Sequence, residues 1–180
     1  MEFRKSTKED LTDIMAIIRD AQAYFKNNNI DQWQNGYPNE DSILSDIESK
    51  ESYVLVDDNE IIGTAYLSFA GESDYDVIYE GKWLSHEDYA VVHRIAVKND
   101  LKGRGIAGEI FKVVEKICLE RGIHDIKIDT HRDNKSMQRF LEKQGFTRCG
   151  IVYLKDNSER IGFEKLIISS DLIKSLSASV

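Results

Sequence analysis

A disulfide framework and a structural zinc site are both excluded, because the 180 residues contain two cysteines, Cys118 and Cys149, at no metal-ligand spacing. With no secretory signal in view, both read as reduced core thiols of a cytoplasmic protein. No apolar run approaches the roughly 20 residues that cross a bilayer. Lysine and arginine never cluster, and the formal net charge is −8. Nucleic acid and anionic membranes are therefore not the expected partners, and no metal is expected. An acidic surface is compatible with a cationic substrate such as an amine. Proline occurs once, at Pro38, and no repeat or linker is visible. What remains is an ordinary globular balance, 41% hydrophobic and 31% charged. It is read as a single domain over residues 1–180, with a core over about residues 2–168.

Periodicity orders the chain. A short strand is expected at 2–5. Ser6 and Glu9 have capping-box spacing ahead of a helix whose Leu11, Ile14, Met15, Ile18, Ala21 and Phe25 share one face. A polar loop at 27–38 carries Trp33 and Tyr37, and a second helix is expected at 41–50. Strands at 53–56 and 61–69 form a hairpin. The irregular stretch 71–88 sets Tyr75, Tyr79 and Trp83 among acidic residues, and its aromatic content argues against disorder. A strand at 89–97 precedes a glycine-rich turn and a helix at 105–121. A strand at 125–130 follows, then a helix capped by Asp133 and stopped by Gly145, then a hairpin from 146–154 and 161–168. The last dozen residues are Ser-rich and expected to fray. The fold class is mixed α/β, with the strands at 89–97 and 125–130 parallel neighbours joined by a right-handed crossover.

The turn Lys102-Gly103-Arg104-Gly105-Ile106-Ala107 is the most informative stretch. Its glycines remove β-carbons that would hold a ligand away, and it feeds a helix whose first N–H groups have no partner. Such an end suits a pyrophosphate, although a plain strand-to-helix turn has the same sequence. Residues 103–108 also satisfy G-x-G-x-x-G. The dinucleotide reading fails on context, because a polar segment, 98–102, separates strand from glycine, and the motif starts past residue 100, leaving too little chain for a full doubly wound sheet. No Gly-Lys-Ser/Thr closes the turn as a phosphate loop requires.

A wider pattern fits better. Ile95-Ala96-Val97, then Lys102-x-x-Gly105-x-Ala107, then Asn134, then Gly145-Phe146 resemble the GNAT superfamily of acyl-CoA N-acyltransferases. The order of elements over about residues 2–168 is similar too, which implies a mostly antiparallel sheet with one central parallel pair, flanked by helices. Lys102 replaces the usual Arg or Gln, Met137 a small residue, and Leu141 a tyrosine found in many members. The pattern resembles a bacterial branch of the superfamily and brings no acceptor with it.

The resemblance implies acetyl-CoA as cosubstrate. Ile95, Ala96 and Val97 would pair with the pantetheine arm at a β-bulge. The segment Lys102, Gly103, Arg104, Gly105, Ile106, Ala107 and Gly108 would hold the pyrophosphate, with Asn134 and Phe140 further along the coenzyme. Lys143 is read as surface. Many members carry a glutamate on the strand before the turn, and Val91 stands near that position. His93 lies on the same strand face, and an imidazole, with its ordinary pKa of about 6.5, suits a base near neutrality. A histidine hydrogen-bonded for structure is the equal alternative. Glu80 and then His131 are the next candidates. Trp33, Tyr37, Tyr75, Tyr79 and Trp83 are the candidate acceptor-pocket residues, each with core packing as the alternative. The implied activity is acetyl transfer to a small-molecule or peptide amine by direct attack in a ternary complex. A non-catalytic acyl-CoA sensor and, more distantly, a nucleotide-dependent oxidoreductase are the other classes. A homodimer is compatible with the sequence.

Overall fold

A computed structural model of the chain describes residues 1–168. The Ser-rich tail expected to fray falls outside the described residues. The elements are β1 (Glu2–Lys5), α1 (Leu11–Asn27), α2 (Glu40–Glu48), β2 (Ser52–Asp57), β3 (Glu60–Ser68), β4 (Ala90–Val97), α3 (Ile106–Glu120), β5 (Asp125–Thr130), α4 (Lys135–Lys143), β6 (Thr147–Tyr153) and β7 (Glu159–Leu166). All seven strands form one sheet in the order β1-β2-β3-β4-β5-β7-β6. Every neighbouring pair is antiparallel except β4 and β5.

Two caps sit one residue beyond their expected positions. Asp10, not Glu9, closes the first box, taking the Thr7 N–H at 2.7 Å. Arg4 recruits it through paired bonds of 2.8 and 2.9 Å, which hold the Asp10 carboxyl below its usual range. Asn134, not Asp133, caps α4, its side chain accepting from the Met137 N–H at 3.1 Å. Only Asn134 is also buried against the sheet, where an unpaired amide would be costly.

The sheet is covered differently on its two faces. On one, α3 and α4 bury Ile110, Phe111, Val114 and Leu141 against Val92, Ile126, Ile128 and Phe163. On the other, α1 and α2 cover Val54, Ile61 and Ala96. The rest of that second face is covered by the segment 71–89, which lays Tyr75 and Trp83 over Val91, Cys149 and Val152.

This strap is fixed to charged residues as well as apolar ones. In β5, Ile126 and Ile128 face the helices while Asp125, Lys127 and Asp129 face the strap. Glu164 of β7 accepts the N–H groups of Leu84 and Ser85, and the Lys127 ammonium lies over the Tyr89 ring at 3.9 Å. Lys127 stands 3.9 Å from Asp125 and 3.8 Å from Glu164, so two buried carboxylates share one ammonium. Neither Asp125 oxygen has a hydrogen-bond partner among the described residues.

Burial, with Glu164 close by, pushes the Asp125 carboxyl up to about 7. An aspartate in an unfolded chain ionises near pH 3.9, at roughly its reference pKa. Between those values the folded protein retains a proton that the unfolded chain has released. Stability therefore falls as pH rises from about 4 to about 7, and the loss is complete above that. Asp125→Asn removes the effect. The variant should exceed the wild type in unfolding free energy at pH 8 by about 1 kcal/mol or more, with the gap narrowing at pH 5. Urea titrations at the two pH values test this, and a gap independent of pH contradicts it.

Candidate active site

Only the first residues of β4 and β5 pair, Ala90 with Ile126 and Val91 with Lys127. Beyond them the strands part. A bulge in β4 accompanies the separation: Thr64 and Tyr66 of β3, two residues apart, face Ala96 and His93, three residues apart. The extra residue is Arg94, with φ +49°. The bulge turns both His93 and Arg94 toward the strap face, while Ile95 and Val97 pack on the helix face.

A cavity of about 500 Å³ occupies the gap. Its helix side is lined by Val92, Ile95, Ile128, Thr130, Asn134 and Met137. Its other side carries His93, Arg94, Glu72, Asp74, Asp129 and Arg160, with Phe25, Trp33 and Tyr37 from α1 and the loop after it.

His93 stands between two carboxylates. Its Nε2 is 3.4 Å from a Glu72 oxygen and its Nδ1 is 3.7 Å from an Asp129 oxygen. The bond to His93 holds the Glu72 carboxyl below its usual range. The buried Tyr75 hydroxyl donates to Asp129 at 2.7 Å, and its ring meets the His93 ring edge-on at 6.0 Å. Burial and the adjacent Asp129 charge raise the Tyr75 phenol well above its ordinary value, so it stays a donor. Arg160 lies 3.8 Å from the second Asp129 oxygen. Asp129 is thus held from three directions.

Arg94 is fixed just as firmly. Its guanidinium meets Asp46 of α2 through Nε and Nη2, both at 2.7 Å, and donates to the Tyr37 hydroxyl. It also lies over the Tyr66 ring at 4.3 Å. These contacts hold an otherwise unfavourable backbone angle at the bulge.

Gly103 and Gly105 have φ values of +79° and +84°. A β-carbon at either would meet no atom within 4 Å, so backbone conformation is what calls for glycine here. The turn is exposed, and the first N–H groups of α3, from Ile106 to Gly108, have no acceptor within the helix. Glu109 makes the first bond, to the Gly105 carbonyl at 3.1 Å. Lys102 sits over the Tyr24 ring at 4.1 Å. The Asn134 amide donates to Gln32 at 2.9 Å, joining α4 to the loop after α1.

The sequence profile of the acetyltransferase (GNAT) family matches residues 15–146. The chain belongs to the GNAT acetyltransferase family. A GNAT-family acetyltransferase from Streptococcus agalactiae 2603 is 32% identical over 93% of this chain and 96% of its own, with a TM-score of 0.84. A GNAT-family acetyltransferase from Listeria monocytogenes 4b F2365 shares the fold at 18% identity, covering 92% of this chain and 94% of that one, TM-score 0.71. So does the PaiA N-acetyltransferase of Thermoplasma acidophilum, solved in complex with coenzyme A, at 19% identity, 92% and 98% coverage and TM-score 0.68. No curated protein matches the chain.

Within this GNAT fold the expected site residues separate. Ile95, Asn134, His93, Trp33 and Tyr37 line the cavity. Ala96 is buried under α1, and Val97 pairs with Gly63. Phe140 packs on Phe111 with ring centroids 5.6 Å apart, and Lys143 is exposed. Glu80 does not reach the gap. Tyr79 before it bridges Ile151 of β6, and Glu80 is exposed and does not line the cavity. Tyr79 rests edge-on against Tyr153 at 5.4 Å, also away from the cavity. Trp83 is buried, donating to the Tyr75 carbonyl at 2.8 Å and lying against Gly162, where a β-carbon would come within 2.7 Å of the ring. Tyr75 supports the cavity from beneath without lining it. His131 accepts the Asp133 N–H at 3.2 Å and fixes the turn before α4. Sequence reasoning missed Glu72, Arg94 and Asp129. Asp129 was within reach of it, since it ends the parallel strand on the strap-facing side.

Proposed function

We propose that this protein transfers an acetyl group from acetyl-CoA to a primary amine of a small molecule or peptide, by direct attack in a ternary complex. The observation that carries the reading is His93, held between Glu72 and Asp129 at the mouth of the gap between β4 and β5. The exposed N-terminus of α3, with Gly103 to Gly108, is the pyrophosphate site. The edge of β4 at Ile95 takes the pantetheine arm as an added strand would be taken, with Asn134 beside it.

His93 removes a proton from the incoming ammonium, directly or through water, and the two carboxylates stabilise the imidazolium that results. The amine nitrogen then forms the new N–C bond, the C–S pair leaves with sulfur, and coenzyme A departs as a thiolate. On the acceptor side Arg94 is paired with Asp46 and Arg160 with Asp129, which leaves Glu72 and Asp74 to favour a cation, and the Trp33 and Tyr37 rings give that side an apolar wall. A cysteine acyl-enzyme finds no support here. Burial pushes both Cys118 and Cys149 up to about 12, so neither supplies a thiolate near neutral pH.

The test is thiol release from acetyl-CoA across a panel of amines, amino acids and peptides. Acceptor-dependent release with matching acetylated product is expected. Coenzyme A binding without release for any acceptor would favour a sensor instead.

A further inference from the structure

His93 has a carboxylate on each side, and the two differ in what else they hold. The Asp129 side chain, on β5, is only 9% exposed. Both of its oxygens are engaged: Oδ2 accepts from the Tyr75 hydroxyl at 2.7 Å, and Oδ1 faces Arg160 at 3.8 Å. The Glu72 side chain, on the strap, is 26% exposed and lines the cavity. Its Oε1 accepts the Asp74 N–H at 3.3 Å, whereas Oε2 meets only His93 Nε2, at 3.4 Å, among the described residues. The bond to His93 holds this carboxyl below its usual range, so it is an anion near neutral pH. With Nδ1–H directed at Asp129, Nε2 carries a lone pair beside that anionic oxygen. Two hydrogen-bond acceptors so placed repel each other and lack a donor, which one ammonium supplies to both.

We propose that Glu72 and His93 Nε2 together receive the ammonium of the incoming amine, while Tyr75, acting through Asp129, is a positioning residue that orients the imidazole for it. The proposal rests on the acyl-transfer reading above. One N–H of the ammonium gives its proton to Nε2, and the electron pair stays on nitrogen, which becomes the neutral nucleophile. Glu72 then accepts from the new Nε2–H, so it keeps a donor as the charge moves. Asp129 is unsuited to the ammonium, because Tyr75 and Arg160 already occupy its oxygens. The Tyr75 hydroxyl does not line the cavity, and it acts on the reaction only by fixing the Asp129 oxygen that faces Nδ1.

The two tasks separate kinetically. With the amine that gives the fastest thiol release, Glu72→Gln should raise the KM for the amine roughly 10- to 100-fold, the effect of a hydrogen bond to a charged group, and by more than it lowers kcat. Glu72→Asp, which keeps the charge, should recover part of that affinity. Tyr75→Phe should lower kcat about tenfold and leave the KM for the amine unchanged. Asp129→Asn should show the same split, and it carries the prediction if Tyr75→Phe does not fold. Combining the two should cost no more than Asp129→Asn alone, because Tyr75 works through Asp129. The KM for acetyl-CoA should not change in any of these variants. An unchanged KM for the amine in Glu72→Gln would overturn the proposal, as would losses in Tyr75→Phe and Asp129→Asn that add. A wild-type protein that releases no thiol with any amine would instead overturn the acyl-transfer reading, and this proposal with it.

Discussion

Gly105→Glu is expected to abolish the rise in melting temperature that acetyl-CoA produces. A ligand at about one hundred times its Kd, binding only the folded state, stabilises by about 2.7 kcal/mol, and the variant should lose nearly all of this. The new carboxylate stands at the start of α3, where the proposed pyrophosphate meets the free N–H groups of Ile106 to Gly108, so it repels the ligand and occupies its place. Backbone strain is a separate effect, since φ at this position is +84°. Gly105→Asn separates the two, because asparagine tolerates the left-handed region and brings no charge. The Asn variant should respond to acetyl-CoA and the Glu variant should not. If both respond like the wild type, the pyrophosphate does not lie at this turn.

Replacing the base should have the other large effect. His93→Gln should retain acetyl-CoA binding while kcat/KM falls roughly a hundredfold, the lower end for loss of one general base. The dependence of kcat/KM on pH should differ between the wild type and the variant. With Leu141 where many family members have a tyrosine, no falling limb from a tyrosine should appear below about pH 9. Coenzyme A, as an ordinary thiol of pKa near 8.5, can leave as the thiolate. An unchanged rate and profile in His93→Gln would make this residue a structural histidine and move attention to Asp129, the acid at the end of β5. Glu80→Gln should have little effect, because Glu80 lies outside the cavity.

The elements were largely legible in the sequence because local chemistry decides them. β1 and β5 have the bounds that their sequence predicts, and the crossover from β4 through α3 to β5 is parallel as expected. Near misses fall at caps, where a tertiary contact decides between adjacent candidates: Arg4 selects Asp10, and burial selects Asn134. The cavity was legible only where it lies on regular structure. His93 follows from strand parity, whereas Glu72 arrives from a strap whose path depends on Trp83, Lys127 and Glu164, residues far apart in the chain. Alternation in β5 reveals which residues share a face and not what covers them. The bulge that turns Arg94 beside His93 had no signal in its own residue, since its position is set by pairing with β3 and by Asp46 of α2.

The parting of β4 from β5 leaves two strand edges inside a sheet instead of at its rim. A rim edge invites any extended chain, and proteins commonly blunt it with charge, proline or a covering loop. Here the guard is geometric. The gap is closed at one end by the Ala90–Ile126 and Val91–Lys127 pairs and flanked by layers on both faces. A polypeptide seeking to add itself would need room for side chains above and below every second residue. On the proposed reading, the slender pantetheine arm, which carries its own amides, uses those hydrogen-bonding groups. On that reading, selectivity for such a ligand and resistance to strand addition at this edge would both come from the same separation of two strands.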